Sequence, residues 1–251
     1  MITKGDFRMV QSIERAIAIL KCFEAKPHLR LTEISNLVGL NKTTTYNLVQ
    51  TLEYCGFLDQ DQSQKTYSVG GELFRLGSLY HKDLLDVIYP IMQTLAATTG
   101  ETVNLVARRN GRPIYLEKIE SKYSVRTCTV VGQECDLFLT SAGKAIIAYE
   151  PQEIIDKRIE EYEPYARTKY TITSKDELRR ELALVRKRGY AEDNQEAEYG
   201  VRCVAIPIFN RQKECIAAVS ISGPTVRVTE EKKEEYILLL NESFAPLQSR
   251  L

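Results

Sequence analysis

Several kinds of chemistry lack their usual residues in this chain. Among 251 residues there are two histidines, His28 and His81, and neither sits in a His/Asp or His/Cys constellation of the kind nucleophilic catalysis uses. Six cysteines, at 22, 55, 128, 135, 203 and 215, include no CxxC pair, so the spacing typical of a zinc clip or a redox dithiol is missing. They read as reduced thiols, with Cys128, Cys135, Cys203 and Cys215 as small buried hydrophobes. No apolar run approaches the roughly 18 to 20 residues a membrane span requires, and the N-terminus shows no apolar signal segment. Lysine plus arginine and aspartate plus glutamate both number 34, for a formal charge of zero. An overall nucleic-acid or membrane-binding charge is therefore excluded. The chain is expected to be soluble and cytoplasmic, with no cofactor and no metal.

Enzyme motifs fail in the same way. Ser141 and Lys144 form an SxxK, but the companion SDN and KTG segments are absent, and no GxSxG occurs. In "FLTSAGKA" the first glycine of a phosphate loop would fall at Phe138, and Ala145 replaces the required hydroxyl residue. The acidic group Glu192, Asp193, Glu196 and Glu198 suits a hard metal by composition. It reads instead as a solvated loop, or as a source of one pocket-facing Asp. An enzyme is not expected.

What is present is a readable order of elements. "VQSIERAIAILKCF" predicts a helix with Ser12 as N-cap and Ile13, Ala16, Ile17, Leu20 and Phe23 on one face. A loop precedes a short helix over 32–38 with Ile34, Leu37 and Val38 buried, and Gly39 suits the position after its end. Asn41 caps a third helix, which Gly56 ends. "FLDQ" and "KTYSVG" around a polar turn predict a hairpin with Tyr67 and Val69 on one face. A helical stretch over 72–99 carries Leu73, Leu76, Leu79, Leu84, Val87, Ile88, Ile91 and Leu95, with Pro90 kinking it or opening a second helix, and Gly100 stopping it. Strands are expected at "ETVNLVARR", "RPIYLEKIE" and "SVRTCTVVG". Helices follow at "SAGKAIIAYE", "QEIIDKRIEEY" and, with a Ser174/Glu177 capping box, "SKDELRRELALVRKRG". Two further strands, "RCVAIPIF" and "CIAAVSIS", and a helix from about Thr229 complete an α+β fold on an antiparallel sheet.

The third helix opens strangely. Lys42, Thr43, Thr44, Thr45, Tyr46 and Asn47 are polar, three of them β-branched threonines that disfavour helix. Apolar residues start only at Leu48. In a winged helix-turn-helix the leading residues of the second helix of the motif face the major groove and the later ones anchor it. Thr and Asn are suited to base edges, and Lys42 with the helix dipole suits phosphate. Residues 1–70 hold eight basic and seven acidic side chains, but 41–52 hold one lysine and no acid. A face so weakly charged predicts modest affinity per subunit and reliance on two half-sites. The stripe over 72–99 serves equally for dimer contact or for packing within its own domain.

These segments resemble the IclR family of bacterial transcriptional regulators. The likeness runs through "SIERAIAIL", "LTEISNLVGLNKTTTYNLVQTLEYCGFL" and "YSVGGELFRLG". Its most specific block is "GYAEDNQEAEYGVRCVAIPIFN", with Gly189, Asp193, Glu196, Cys203 and Asn210 at the family's intervals. "TSAGKAIIA" and "AVSISGP" also look like family segments. The resemblance implies an N-terminal winged helix-turn-helix domain (1–70), a linker helix for dimerisation (71–89) and a GAF/PAS-like effector domain (90–251). It implies a homodimer or a tetramer built as a dimer of dimers, bound to double-stranded operator DNA, with repression the expected sign. Arg15 would touch the DNA backbone, Thr32 would border the interface and Lys65 on the wing would lie along phosphates. The effector would contact Thr140, Ser141, Ala142, Gly143, Asp193, Cys203, Ser220 and Ser222. Phe138 departs from the family's usual Pro-Leu-His-type stretch, so a differently shaped entrance is expected.

The residues point to a pocket without that help. Ser220 and Ser222 alternate with Val219 and Ile221, so both hydroxyls share a strand face. Cys203, Ala205 and Pro207 oppose Val204, Ile206 and Ile208 in the same way. Small polar side chains on one sheet face leave room for a ligand, and the start of the helix after "TSAGK" offers N–H groups to an anion. An organic acid is the expected effector.

Overall fold

The computed structural model describes residues 10–77, 82–109 and 112–247. The chain forms two compact units, residues 1–82 and 83–251. Leu79 and His81 lie outside the described residues.

In the first unit, helix α1 (Gln11–Lys21) leads to β1 (Leu29–Arg30), α2 (Leu31–Val38) and α3 (Lys42–Tyr54). Strands β2 (Leu58–Asp61) and β3 (Thr66–Val69) and helix α4 (Gly71–Gly77) follow. The hairpin is antiparallel, and β1 pairs with β3 to make a sheet of order β1-β3-β2. The core is Ile19, Phe23, Leu29, Ile34, Val49, Leu58 and Tyr67. Only part of the expected stripe is buried: Ile13 and Ile17 of α1 are exposed and Ile19 is buried instead, while Phe23, in the turn after the helix, is buried as expected. The sequence of α1 is apolar on two faces, and packing selects the one that periodicity alone leaves undecided. Val10, not Ser12, precedes its first turn. Leu37, expected inside, is exposed, and so is Val69, although Tyr67 two residues before it is buried. Gly39 ends α2 at φ +66°, the left-handed position anticipated for it.

In the second unit, α5 (Lys82–Thr99) contains Pro90 inside the helix and ends before Gly100 at φ +73°. Antiparallel strands β4 (Thr102–Arg109) and β5 (Arg112–Ile119) follow, then α6 (Ser141–Ile147), α7 (Gln152–Glu161) and α8 (Lys175–Arg188). Strands β6 (Ala191–Asn194), β7 (Val201–Phe209) and β8 (Cys215–Pro224) and helix α9 (Glu230–Phe244) complete it. The five strands form one antiparallel sheet of order β5-β4-β8-β7-β6.

Alternation along β7 and β8 sorts the two faces. Val204, Ile206, Ile208, Val219 and Ile221 pack with Ile88, Met92 and Leu95 of α5 and Tyr236 and Leu240 of α9. Ala205 and Ala218 turn the other way, into a cluster with Ala142, Ala145 and Ile146 of α6, Ile159 of α7 and Leu182 of α8. Alanines on that side let α6 approach the sheet closely.

One expectation fails here. "SVRTCTVVG" is not a strand. Beside β5, among the described residues, the chain keeps an isolated bridge between Ile114 and Glu134, two exchanges with Tyr115 and the Lys118 ammonium on the Thr129 carbonyl. It is drawn across the sheet instead, where the Thr129 hydroxyl donates to Asn104 Oδ1 at 2.7 Å. Of the two readings of the acidic group the solvated loop does not hold: 191–194 is an edge strand, because its backbone pairs with 202–205, and Asp193 on it is buried, which fits the alternative of one pocket-facing Asp.

Candidate functional site

The first candidate surface is the leading turn of α3. Asn41 Oδ1 accepts the Thr44 N–H at 2.8 Å, so the helix is capped where the sequence predicts. Lys42, Thr43, Tyr46 and Asn47 are exposed and Thr44 is half-buried. Thr45 is the exception and corrects the expectation that it reads DNA. It is 0% exposed, and its hydroxyl donates to the Asn41 carbonyl at 3.0 Å. Val49, one turn on, is equally buried, so the apolar side of α3 begins at Thr45 rather than Leu48. A threonine fits there because its methyl packs while its hydroxyl satisfies the preceding turn.

The remaining residues of this surface can be placed. Thr32 is exposed at the start of α2, and Arg15 is half-buried on α1. Lys65 is exposed at the hairpin turn, in the left-handed region at φ +53°. That turn is held by Asp61 Oδ1, which accepts from the Ser63 and Gln64 N–H groups. These bonds and the Ser63 hydroxyl hold the Asp61 carboxyl below its ordinary range. Lys26 is tied to Glu33 at 2.6 Å. Lys42 and Lys65 have no carboxylate partner among the described residues, which leaves both ammonium groups open to phosphate.

The second candidate is a cavity of about 260 Å³ on the alanine-rich side of the large sheet. Strand register builds its floor. Asp193, Cys203 and Ser222 pair in one row across β6, β7 and β8, and Ser220 pairs with Asn104 of β4. All four strands turn these polar side chains to the same face. The Asn104 amide donates to Ser220 and Ser222 at 3.4 Å each, so the two hydroxyls are coupled rather than idle. Asn104, 1% exposed, was not among the expected site residues. Only its position opposite Ser220, more than a hundred residues away, reveals it.

The walls are Thr140, Ser141 and Ala142 at the start of α6, the 127–129 segment, Tyr115 and Arg167. Thr140 accepts the Gly143 N–H at 3.0 Å, which uses one of the helix-start donors expected to serve a ligand. Gly143 does not line the cavity. Its Cα lies against the Asp136 carbonyl, and any Cβ would collide with that oxygen, so its role is close packing. Cys128, Cys135 and Cys203 all line the space. Burial raises the Cys135 thiol to about 12 and pushes Cys203 up as well, so neither is a ready nucleophile.

Behind the floor sits an ion pair that the sequence did not suggest. Lys144 is 0% exposed and its Nζ donates to Glu196 at 2.5 Å. Glu196 Oε2 is buried without a hydrogen-bond partner among the described residues. Burial raises Glu196 to about 7, against the pull of Lys144. Burial also raises Asp193 to about 6, although Lys144 and the N–H groups of Glu196 and Ala197 favour its charged form. The SxxK spacing thus reflects a structural lysine.

Comparison with known proteins bears on both surfaces. The model of the "IclR helix-turn-helix domain" matches residues 12–62, and that of "Bacterial transcriptional regulator IclR C-terminal" matches residues 76–245. The HTH-type transcriptional regulator KdgR of Dickeya chrysanthemi is 36% identical over 92% of this chain and 77% of its own length. The transcriptional repressor IclR of Escherichia coli (strain K12) is 32% identical over 90% of this chain and 85% of its own. The crystal structure of an IclR homologue from Microbacterium hydrocarbonoxydans, complexed with 4-hydroxybenzoate, shares the fold. Its TM-score is 0.85 at 20% identity, covering 95% of this chain and 98% of that one.

Proposed function

The chain belongs to the IclR family of bacterial transcriptional regulators, and from that premise we propose a ligand-responsive repressor. In this reading the second unit takes up a carboxylate-bearing metabolite and thereby alters operator binding by the first. At the coarser level it is a DNA-binding regulator with an effector-binding C-terminal domain, and not an enzyme. The observation that carries DNA binding is the outward leading turn of α3, set on a helix whose later turns enter the core, and the polar cavity supports the effector.

Thr43, Thr44, Tyr46 and Asn47 contact or border base edges; Lys42, Lys65 and Arg15 meet phosphates; Thr32 flanks them. The effector sits against Ser220, Ser222, Cys203, Asp193, Thr140, Ser141 and Ala142, with Arg167 in the same wall for its acid group. Residues 71–89 join the two functions and pair subunits into a dimer or a dimer of dimers. Support comes from α4, which buries none of its residues and leaves Phe74 82% exposed. The sign is supported by the likeness to a named repressor. A cytoplasmic location goes with this role; among the described residues no helix is long and apolar enough to cross a membrane.

A ligand moves such an equilibrium only by binding two subunit arrangements unequally. The test is operator binding by anisotropy with and without a panel of organic acids. Release of DNA by an acid that calorimetry also detects, weakened in Ser220→Ala, is expected. Operator affinity indifferent to every acid that binds would overturn the coupling.

A further inference from the structure

Beside the polar cavity lies a second, more open space of about 460 Å³. Glu134, Cys135, Asp136 and Arg167 stand in the walls of both, so the two adjoin along the 134–136 segment. We propose that they form one site for an elongated ligand, whose hydroxylated body fills the inner cavity and whose acid group lies between Arg158 and Arg167 in the outer chamber. The proposal rests on the effector reading above and adds the ligand's class and length.

Pairing of the outer charges carries the argument. Each carboxylate there is already engaged. Glu134 pairs with Arg112 at 3.3 Å, and Glu161 faces Lys157 at 3.9 Å. Asp136 Oδ1 accepts the N–H groups of Phe138 and Leu139 at 2.9 and 3.1 Å. The two guanidiniums are not so engaged. Neither Arg158 nor Arg167 has a carboxylate within ion-pair distance among the described residues. Arg167 is held in place by a neutral group: Nε and Nη2 donate to the Tyr165 hydroxyl at 2.8 and 2.6 Å, and the guanidinium lies 5.3 Å from that ring's centroid. Asp136 is near enough to favour the charge on Arg167, but neither guanidinium is spent in an ion pair, so both can hold an anion through charge-assisted hydrogen bonds.

The remaining wall fits an organic anion better than a bare inorganic one. Phe138 and Tyr162 stack with ring centroids 4.7 Å apart, and the buried Tyr162 hydroxyl has no hydrogen-bond partner among the described residues. The wall of the outer chamber is thus aromatic at Phe138 and Tyr162. Size points the same way. The inner cavity alone is smaller than the about 300–1,000 Å³ usual for ligand clefts, and the outer chamber brings the site into that range. The inner floor of Ser220, Ser222 and Asp193 offers hydroxyl and carboxylate partners to ligand hydroxyls, with Asn104 beneath holding the two serines.

Calorimetry with glycerate, threonate, gluconate and sorbitol tests this on the full-length protein, Arg158→Gln and Ser220→Ala, each variant first shown to unfold at the wild-type temperature. Gluconate should bind at least tenfold more tightly than glycerate and than sorbitol. Arg158→Gln should remove that gain and leave glycerate unchanged, whereas Ser220→Ala should weaken every acid. Gluconate no tighter than glycerate, an indifferent Arg158→Gln, or no binding by any of the acids overturns the two-chamber site. If other organic acids bind and Ser220→Ala weakens them while Arg158→Gln does not, the effector reading survives and the outer chamber alone is refuted. If Ser220→Ala is also without effect, both fail.

Discussion

Replacing Lys144 with methionine keeps the bulk of a fully buried side chain but removes its charge, and the contacts of that charge set the consequence. The ammonium is the partner of Glu196 at 2.5 Å and favours the charged form of Asp193. Deleting one member of a buried pair costs about 3–5 kcal/mol, because the remaining charge keeps its desolvation cost. A unit of this size loses about 2–4 °C in Tm per kcal/mol, so the second unit should melt roughly 6–20 °C lower at pH 8. The deficit should also depend on pH. Glu196 already lies at about 7, above its ordinary 4.5. Between those values the native state binds more protons than the unfolded chain, so wild-type stability falls as pH rises through that window. Without Lys144 the charged form of Glu196 loses its partner and Asp193 keeps only the N–H groups of Glu196 and Ala197 against its burial, so both carboxyls move further up and the window extends to higher pH. At pH 6 the variant holds its carboxyls protonated and uncharged. Its deficit should therefore be smaller than at pH 8, by on the order of 1 kcal/mol per pH unit in which it keeps a proton the wild type has lost. Calorimetric melting at pH 6 and 8 reads this directly. A deficit under 2 °C, or one equal at both pH values, would refute the account of this pair.

Other outcomes rest on the same structure. Asn41→Ala removes the cap on the Thr44 N–H and should cost about 1 kcal/mol in the first unit, read by its melting. Thr45→Ala should likewise lower stability by about 1–2 kcal/mol while leaving base preference intact, whereas Thr44→Ala should alter base preference with little change in melting. Lys42→Ala and Lys65→Ala should weaken binding to all duplexes alike, each lowering the salt slope by about one, as anisotropy across a salt series would show. Gly143→Ala drives a methyl into the Asp136 carbonyl, so it should shift the 136–140 wall and weaken acid binding in calorimetry even if the melting point falls only slightly.

How far the sequence could be read depended on whether a residue's partner was near in the chain. Asn41, Gly39, Ser174 and Thr229 act within one helical turn, and each stands where local pattern places it. Alternation in "CIAAVSIS" placed Ser220 and Ser222 on one face because a strand needs no distant information to alternate. Partners far away were invisible. Lys144 sits in an apolar run and meets Glu196 fifty-two residues later. Asn104 takes its role from strands formed at the other end of the chain. The acidic "AEDN" reads as loop until β7 is available to pair with it. "SVRTCTVVG" has strand composition, yet Thr129 finds its bond across the sheet face rather than along its edge. Thr45 was misplaced for a subtler reason: three like residues in a row straddle the boundary between the two sides of α3, and only the core decides which one turns inward.

The most direct measurement is selection of bound sequences from a random duplex pool, carried out with the wild-type protein and with Asn47→Ala. The account predicts that the wild type enriches a two-fold symmetric site. Asn47→Ala should lose discrimination at particular base pairs of each half-site, by about 1–3 kcal/mol, while folding as stably as before. A variant that enriches the same site with the same preference at every position would contradict the claim that the leading turn of α3 reads DNA.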